Sequence, residues 1–424
     1  MNSVNNPQTA RRPRAKLSGF VLIMAATATA GIASYIVTWL VPNQIGFAGF
    51  AVFASFWSFL YLVVGTLGGI QQEVTRATTP IETAAGGRAS RARNFGLVSG
   101  LLVFLVIVGS APLWVASVFP ADGWNLVWPL ACGAAAYVMV AVLAGSLYGA
   151  SQWVSVAFMI AVDAVLRLVA VGVVLVWTHD VVALAWAVAI PFPVTLVVLW
   201  PFIRRAIVGR TQLDVGYLAL TWNVSRTMVA AASTGVMVSG FPLLLGLTSA
   251  GESSELLGLF ILTITLTRAP LIIVAMSLQS YFLIMFRDIG DSFWKRFLSI
   301  QSLILGTAAV LAGVGWLIGP AVFGFLFPEQ LQPEGWFIAV LVFSSALVGA
   351  LCVSAPAVLA RSQHFVYTAG WVIAAAVTLV ALLMPLDFTQ RTCLALVAGP
   401  VAGLLIHGIY LALSPRSHEP SAHP

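Results

Sequence analysis

The residues of this chain best suited to chemistry are charges that stand inside long apolar runs. Arg268 is the most isolated of them. It lies near the middle of Leu256–Phe282, LLGLFILTITLTRAPLIIVAMSLQSYF, a stretch long enough to cross the roughly 30 Å hydrocarbon core of a bilayer as one helix. A guanidinium keeps its proton inside proteins, so burial does not neutralise it. Holding it at mid-bilayer costs about 3 kcal/mol on insertion scales. No Asp or Glu stands within four positions. Thr263, Thr265 and Thr267 precede it and Pro270 follows, and a proline frees a backbone carbonyl one turn back. A cation so placed is satisfied either by carbonyls or a distant Asp, in a structural role, or by an anionic ligand. Phosphate oxygens fit a guanidinium fork well.

Asp163 and Arg167 form the second constellation. Their i, i+4 spacing puts them on one helix face. They serve either as a self-neutralising pair that holds packing, or as a proton- or ion-coupling site with Arg167 reaching a ligand phosphate. Glu73 and Arg76, with Arg226 and Arg287, sit at the ends of apolar runs. They form a basic cytoplasmic mouth or anchor the helices at the interface. The hydroxyls Thr27, Ser34, Ser58, Tyr61, Ser233, Thr234 and Thr267 concentrate on four apolar runs. They line a central cavity there, or bond back to their own helices, as Ser and Thr commonly do in membranes. Arg268, Arg226 and Arg167 are the candidates for binding an anionic head group, and Asp163 is the candidate for coupling.

Enzymatic chemistry finds no support. The chain has no H-E-x-x-H, no G-x-S-x-G and no Walker A pattern. Its five histidines (His179, His364, His407, His418, His423) read as lying in turns, at a span end or in the tail, and make no metal set. Cys132, Cys352 and Cys393 give neither a disulfide framework nor metal spacing. No catalytic residue, metal or cofactor is expected.

The elements that must position these residues follow from composition. The 424 residues are 60% hydrophobic and 8% charged, against about 25% charged in soluble domains. The predicted fold is all-α and polytopic, with about twelve membrane helices. They run approximately 17–41, 46–70, 95–119, 127–150, 154–177, 181–202, 227–247, 256–282, 300–327, 336–360, 366–384 and 393–413. A break at Pro42-Asn43-Gln44 separates the first two. Pro191 and Pro193 kink the sixth, and Gly240-Phe241-Pro242 breaks the seventh. Of the 20 Lys and Arg, all but Arg167, Arg268 and Arg391 lie in the termini or in the loops after even-numbered spans. By the positive-inside rule both termini face the cytoplasm, and the expected location is the cytoplasmic (inner or plasma) membrane of a bacterium. The pI near 9.5 reflects that topogenic pattern and not a nucleic-acid partner. No cleavable signal peptide is read, since the first apolar run is too long for one.

The halves repeat. Ser151-Gln152 matches Ser362-Gln363 at an offset of 211, Phe119-Pro120 matches Phe327-Pro328 at 208, and Gly49-Phe50 matches Gly258-Leu259 at 209. Six helices per copy keep the same orientation, so a pseudo-two-fold along the membrane normal is expected, with a substrate path between lobes. The predicted organisation is a cytoplasmic tail (1–16), an N-lobe (17–203), a cytoplasmic linker (204–226) with room for a short surface helix, a C-lobe (227–413) and a cytoplasmic tail (414–424).

Several runs together resemble a known family. They are Gln71-Gln72-Glu73-Val74-Thr75-Arg76 after the second span, LGLF…LTRAPL in the eighth, GPAVFGFLFP closing the ninth, and the ASQW…D…RL run of spans four and five. The chain resembles the polysaccharide-exporter (Wzx-type) branch of the multidrug/oligosaccharidyl-lipid/polysaccharide (MOP) flippase superfamily. The resemblance implies a MATE-like fold of two six-helix lobes, alternating access and a basic central cavity. It also implies a polyprenyl-(pyro)phosphate-linked sugar or oligosaccharide as substrate, for cell-envelope polysaccharide synthesis. Arg268 falls where such a family places a cavity cation. Relatives that flip the peptidoglycan precursor carry cationic residues in their first span, whereas here that span is uncharged within the membrane. The implied partners are the lipid-linked glycan, membrane lipids and a glycosyltransferase or polymerase of the pathway. An ion-coupled small-molecule antiporter of the same fold, a membrane glycosyltransferase and a non-transporting scaffold of a cell-wall complex are the alternatives. The glycosyltransferase lacks the large external loop such enzymes carry.

Overall fold

The computed structural model describes residues 12–80, 90–120, 123–207, 211–213, 215–249, 251–288, 292–328, 331–361 and 363–413. The tails expected at 1–16 and 414–424 therefore lie largely or wholly outside the described residues. Among those described, nine helices are long and apolar enough to cross a membrane, and one bent pair makes a tenth. The chain is a multi-pass, nearly all-helical membrane protein. It divides into two compact units, Met1–Ile45 with Val52–Ala232 and Gly46–Ala51 with Ser233–Pro424.

The first unit starts with α1 (Arg12–Ala77), which holds two membrane spans. The sequence puts their boundary at Pro42-Asn43-Gln44. The helix instead runs through Pro42 and turns at Gly46 (φ 70°, ψ 173°). A proline removes one backbone donor, but leaving the helical region requires a residue that tolerates positive φ, and glycine does so at least cost. The segment Gly46–Ala51 just after this turn clusters with the second unit. Beyond α1 comes β1 (Thr78–Pro80), then α2 (Ser90–Val118), α3 (Trp124–Gly149), α4 (Trp153–Trp177), α5 (Val181–Ala189), α6 (Pro191–Ile207) and β2 (Thr211–Leu213). The strands pair antiparallel, Thr78 opposite Leu213.

This pairing differs from the polar linker expected over 204–226. Arg204 and Arg205 belong to the last turn of α6, where cations suit the helix C-terminus. Residues 211–213 are strand, and α7 (Tyr217–Val238) has already begun before Arg226. Strand pairing satisfies backbone groups that an open polar loop would leave to water. Close packing between α3 and the end of α1 is set by Gly145 and Gly149. A Cβ at Gly145 would lie 2.8 Å from the Gln71 carbonyl oxygen, and one at Gly149 would lie 2.9 Å from that of Thr75, so only glycine permits this approach.

The boundary between units falls inside α7, between Ala232 and Ser233. The second unit continues with α8 (Phe241–Thr248), α9 (Ser254–Ser277), α10 (Gln279–Asp288), α11 (Phe293–Leu326), α12 (Gly335–Leu359), α13 (His364–Leu382) and α14 (Phe388–Leu413). The expected single span Leu256–Phe282 is two helices, α9 and α10. From Gln279 onward the sequence is amphipathic (QSYFLIMFRD) and buries Phe282 and Phe286 while exposing Tyr281, a pattern that suits the edge of a membrane better than its core. α11 begins at Phe293, seven residues before the expected start, because Phe293 and Phe297 bury with Phe282 and Phe286 in one aromatic cluster.

The repeat is visible in each unit's own elements. Gln152 precedes α4 with φ −84°, ψ 60°, and Gln363 precedes α13 with φ −99°, ψ 73°. Phe119 after α2 and Phe327 after α11 are both fully buried. α2 and α11 expose apolar residues along their lengths, among them Leu101, Leu105, Leu303 and Leu317, as lipid-facing helices do. α12 buries nearly every residue from Ser344 to Val358 and forms the centre of the second unit.

Candidate functional site

Arg268 lies on α9 and is only 4% exposed. Its Nη2 donates to the Met237 carbonyl oxygen at 3.4 Å, and its guanidinium carbon sits 5.5 Å from the Phe241 ring centroid. Met237 is in the last turn of α7, and Phe241 opens α8. The arginine thus caps the first half of a broken span and stacks on the start of the second. Its Nε finds no acceptor among the described residues. No carboxylate pairs with it there either, and the position one turn before it is Ile264, itself buried.

The first unit repeats this arrangement at Arg167, with one addition. Arg167 on α4 is buried. Its Nε donates to the Val188 carbonyl at 3.3 Å, in the last turn of α5, and its guanidinium lies 4.9 Å from the ring of Phe192, at the start of α6. Here too an arginine reaches a carbonyl in the last turn of one helix and stacks on a ring at the start of the next, although α5 and α6 run on as one span. The addition is Asp163, whose Oδ2 accepts from Arg167 Nη2 at 2.8 Å. Tyr61 completes the surround, its ring 5.5 Å from the guanidinium and stacked on Trp57. The other carboxylate oxygen of Asp163, Oδ1, is buried without a partner. The two arginines are not equivalent in the repeat. Each gives a buried guanidinium a backbone carbonyl of a neighbouring helix as its acceptor.

The other residues singled out in the sequence lie as follows. At the far end of α1, Glu73 bonds Arg76 at 2.8 Å and accepts from Thr227 Oγ1 of α7 at 3.1 Å, a link across 154 positions. Arg226, beside Thr227, is exposed, and Arg76 is exposed as well. Arg287 is exposed in the last turn of α10, in the second unit. Thr267 Oγ1 donates to the Thr263 carbonyl at 2.7 Å, and Thr263 and Thr265 donate likewise to Leu259 and Ile261. These hydroxyls are spent on their own helix. The Ser34 carbonyl accepts from Thr38. Thr27, Ser34, Ser233 and Thr234 are half-buried, and Ser58 is buried. Arg167 and Arg226 belong to the first unit and Arg268 to the second.

Two residues were not singled out by sequence. His407, read as standing at a span end, is fully buried inside α14. Its Nδ1 lies 2.9 Å from Ser354 Oγ, and its Nε2 lies 3.4 Å from the Tyr367 carbonyl. It joins three helices of the second unit, and Gly370 leaves the room for its ring. Trp371 is also fully buried, with its indole Nε1 unpartnered among the described residues. The adjacent Gly370-Trp371 on an apolar helix was the available signal. Among the described residues no cluster of His, Cys, Asp or Glu could hold a metal ion.

Comparisons with known proteins bear on this geometry. No family model matches the chain. The uncharacterized protein Mb3654 of Mycobacterium bovis is 30% identical over 91% of this chain and 90% of its own length, and Rv3630 of Mycobacterium tuberculosis matches to the same extent. Rv1510 of Mycobacterium tuberculosis is 29% identical over 92% of this chain and 91% of its own. Among solved structures, an inward-facing multidrug resistance MATE family transporter of the MOP superfamily matches with a TM-score of 0.65 at 13% identity. It covers 94% of this chain and 98% of its own. The eukaryotic MATE transporter AtDTX14 gives 0.63 at 13% identity, covering 95% and 96%. A MOP superfamily transporter from Pyrococcus furiosus, described as having a binding pocket of reverse polarity, gives 0.56 at 14% identity, covering 94% and 96%. The fold is that of the MATE and MOP transporters.

Proposed function

We propose, of a chain that belongs to the same family as the mycobacterial proteins Mb3654 and Rv3630, that it is an alternating-access flippase for a polyprenyl-(pyro)phosphate-linked sugar or oligosaccharide. The observation that carries this reading is Arg268. It is a permanent cation, buried, with an unmet Nε and no carboxylate partner among the described residues. Intramembrane charge of this kind is costly and is usually kept for function. A phosphate or diphosphate supplies what is missing, two or more anionic acceptors for a guanidinium fork. The MATE-type fold supports movement of a solute across a membrane, and the Pyrococcus furiosus protein offers a precedent for a change of pocket polarity within that fold.

The proposed cycle starts with the head group drawn from the cytoplasmic side by the basic residues of each unit, Arg76 and Arg226 in the first and Arg287 in the second. These are exposed basic residues at helix ends, where they attract anions. Arg268 then takes the phosphate while the prenyl chain stays in lipid. Arg167, already held by Asp163 in the first unit, has less free capacity for an anion than Arg268. A rocking motion carries the head across, and one unpaired arginine gives an affinity modest enough for release. The glycan goes to envelope synthesis in the cytoplasmic membrane. A second reading, proton- or ion-coupled exchange of a small molecule, draws on the unpartnered Oδ1 of Asp163. In the flippase reading the same oxygen is the coupling candidate.

Binding decides between them. Purified wild type and Arg268→Ala are compared by native mass spectrometry with undecaprenyl pyrophosphate and with undecaprenol as the uncharged control. The flippase reading expects the wild type to favour the pyrophosphate and the folded variant to lose that preference. Equal binding of both lipids by both proteins rejects it.

A further inference from the structure

We propose that the indole Nε1 of Trp371 is a second donor to the anionic head group, acting beside Arg268 in one buried site of the second unit. This rests on the reading of Arg268 as a head-group residue and adds a residue to it. Among the buried polar hydrogens of this unit with no acceptor among the described residues are Nε of Arg268 and Nε1 of Trp371, beside Ser249 Oγ and Arg391 Nε elsewhere in the unit. Native proteins leave few such donors, and each one calls for an explanation. Those of Arg268 and Trp371 are not scattered. Trp371 packs in one cluster with Met237 and Ile272. Met237 is the residue whose carbonyl Arg268 holds, and Ile272 stands one turn beyond Arg268 on α9. Both donors are therefore grouped about the end of α7, and both lack the same thing, an acceptor.

The first unit indicates what kind of acceptor suits such a place. There Arg167, which also reaches the carbonyl of another helix although it is not the repeat counterpart of Arg268, has Asp163, an internal carboxylate one turn earlier on its own helix. In the second unit that position is Ile264, and no internal anion replaces it among the described residues. An oxyanion from outside the chain completes the set: one oxygen on the guanidinium, another on the indole N–H. Indole donates but cannot accept, so the site selects acceptor-only groups such as phosphoryl oxygens over alcohols. Both donors are closed to solvent here, so the oxyanion enters when the break between α7 and α8 opens. Taking Arg268 from the Met237 carbonyl would release that break.

The test adds Trp371→Phe to the comparison of undecaprenyl phosphate, undecaprenyl pyrophosphate and undecaprenol by native mass spectrometry. Phenylalanine keeps an aromatic ring and removes the donor. Leu351→Val disturbs the same cluster without removing a donor and serves as the packing control. The proposal expects Trp371→Phe to cut the preference for the phosphorylated lipids over undecaprenol by about 10-fold or more, as loss of a hydrogen bond to a charged group does. Leu351→Val should leave that ratio unchanged. A purely structural Trp371 would lower all three lipids together, or none, and either result overturns the proposal. If Arg268→Ala loses the preference while Trp371→Phe keeps it, the head-group reading stands and this inference falls. If neither variant alters the ratio, both fall.

Discussion

Arg167 and Arg268 should respond in opposite ways to the same substitution. Arg167→Met leaves Asp163 half-buried without its cation. Breaking such a pair is predicted to lower stability by about 2 kcal/mol or more, less than the full cost of a sealed pair because Asp163 retains some exposure. Arg268→Met removes a buried charge whose Nε is unmet, and loses only the 3.4 Å bond from Nη2 to the Met237 carbonyl. It should be neutral or stabilising by about 1 kcal/mol while abolishing the preference for phosphorylated lipid. Thermal unfolding of the two variants in detergent checks this, and equal destabilisation would mean that Arg268 is mainly the cap of α7. The double variant Asp163→Leu with Arg167→Leu should recover most of the stability lost in Arg167→Met, because it leaves no lone charge. At this scale the i, i+4 spacing made the Asp163–Arg167 pair readable from sequence. The carbonyls of Val188 and Met237 were not readable, because which helix end faces an arginine is decided by packing between segments far apart in the chain.

The discontinuous spans give the element-scale picture. α5 ends at Ala189 before Pro191, and α7 ends at Val238 before Gly240-Phe241-Pro242. Both breaks are legible, since proline and glycine mark them directly. The turn at Gly46 is less so. Pro42 drew attention to the wrong residue, and the chain departs from the helix where glycine can take φ 70°. The division of 256–282 into α9 and α10 depends on a shift to amphipathic sequence that is weaker than the apolar run before it. One close approach can be tested directly. A Cβ at Gly258 would lie 2.0 Å from the Phe47 carbonyl oxygen, and Phe47 is buried against Phe323 and Phe327. Gly258→Ala should therefore cost about 1–3 kcal/mol by overpacking. Gly306→Ala on α11 meets nothing within 4 Å and should be neutral or slightly stabilising. Similar midpoints for both would show that α9 is free to move away from Phe47.

At the scale of the whole molecule, composition alone specified a polytopic helical protein, and the nearly equal offsets between the halves anticipated the matched caps at Gln152 and Gln363. The strand pair joining residues 78–80 and 211–213 was not anticipated, because neither segment carries an alternating apolar pattern. The central claim concerns translocation, and proteoliposomes test it most directly. A labelled polyprenyl-pyrophosphate sugar is placed in one leaflet, and a membrane-impermeant reagent reports its arrival in the other. The account predicts that wild-type protein speeds arrival well beyond protein-free vesicles, that Arg268→Ala falls close to the protein-free rate, and that Asp163→Asn alters the response to an imposed pH gradient. Arrival no faster with wild type than without protein, in vesicles where the same preparation exchanges a small molecule for protons, would contradict the flippase account and favour the antiporter.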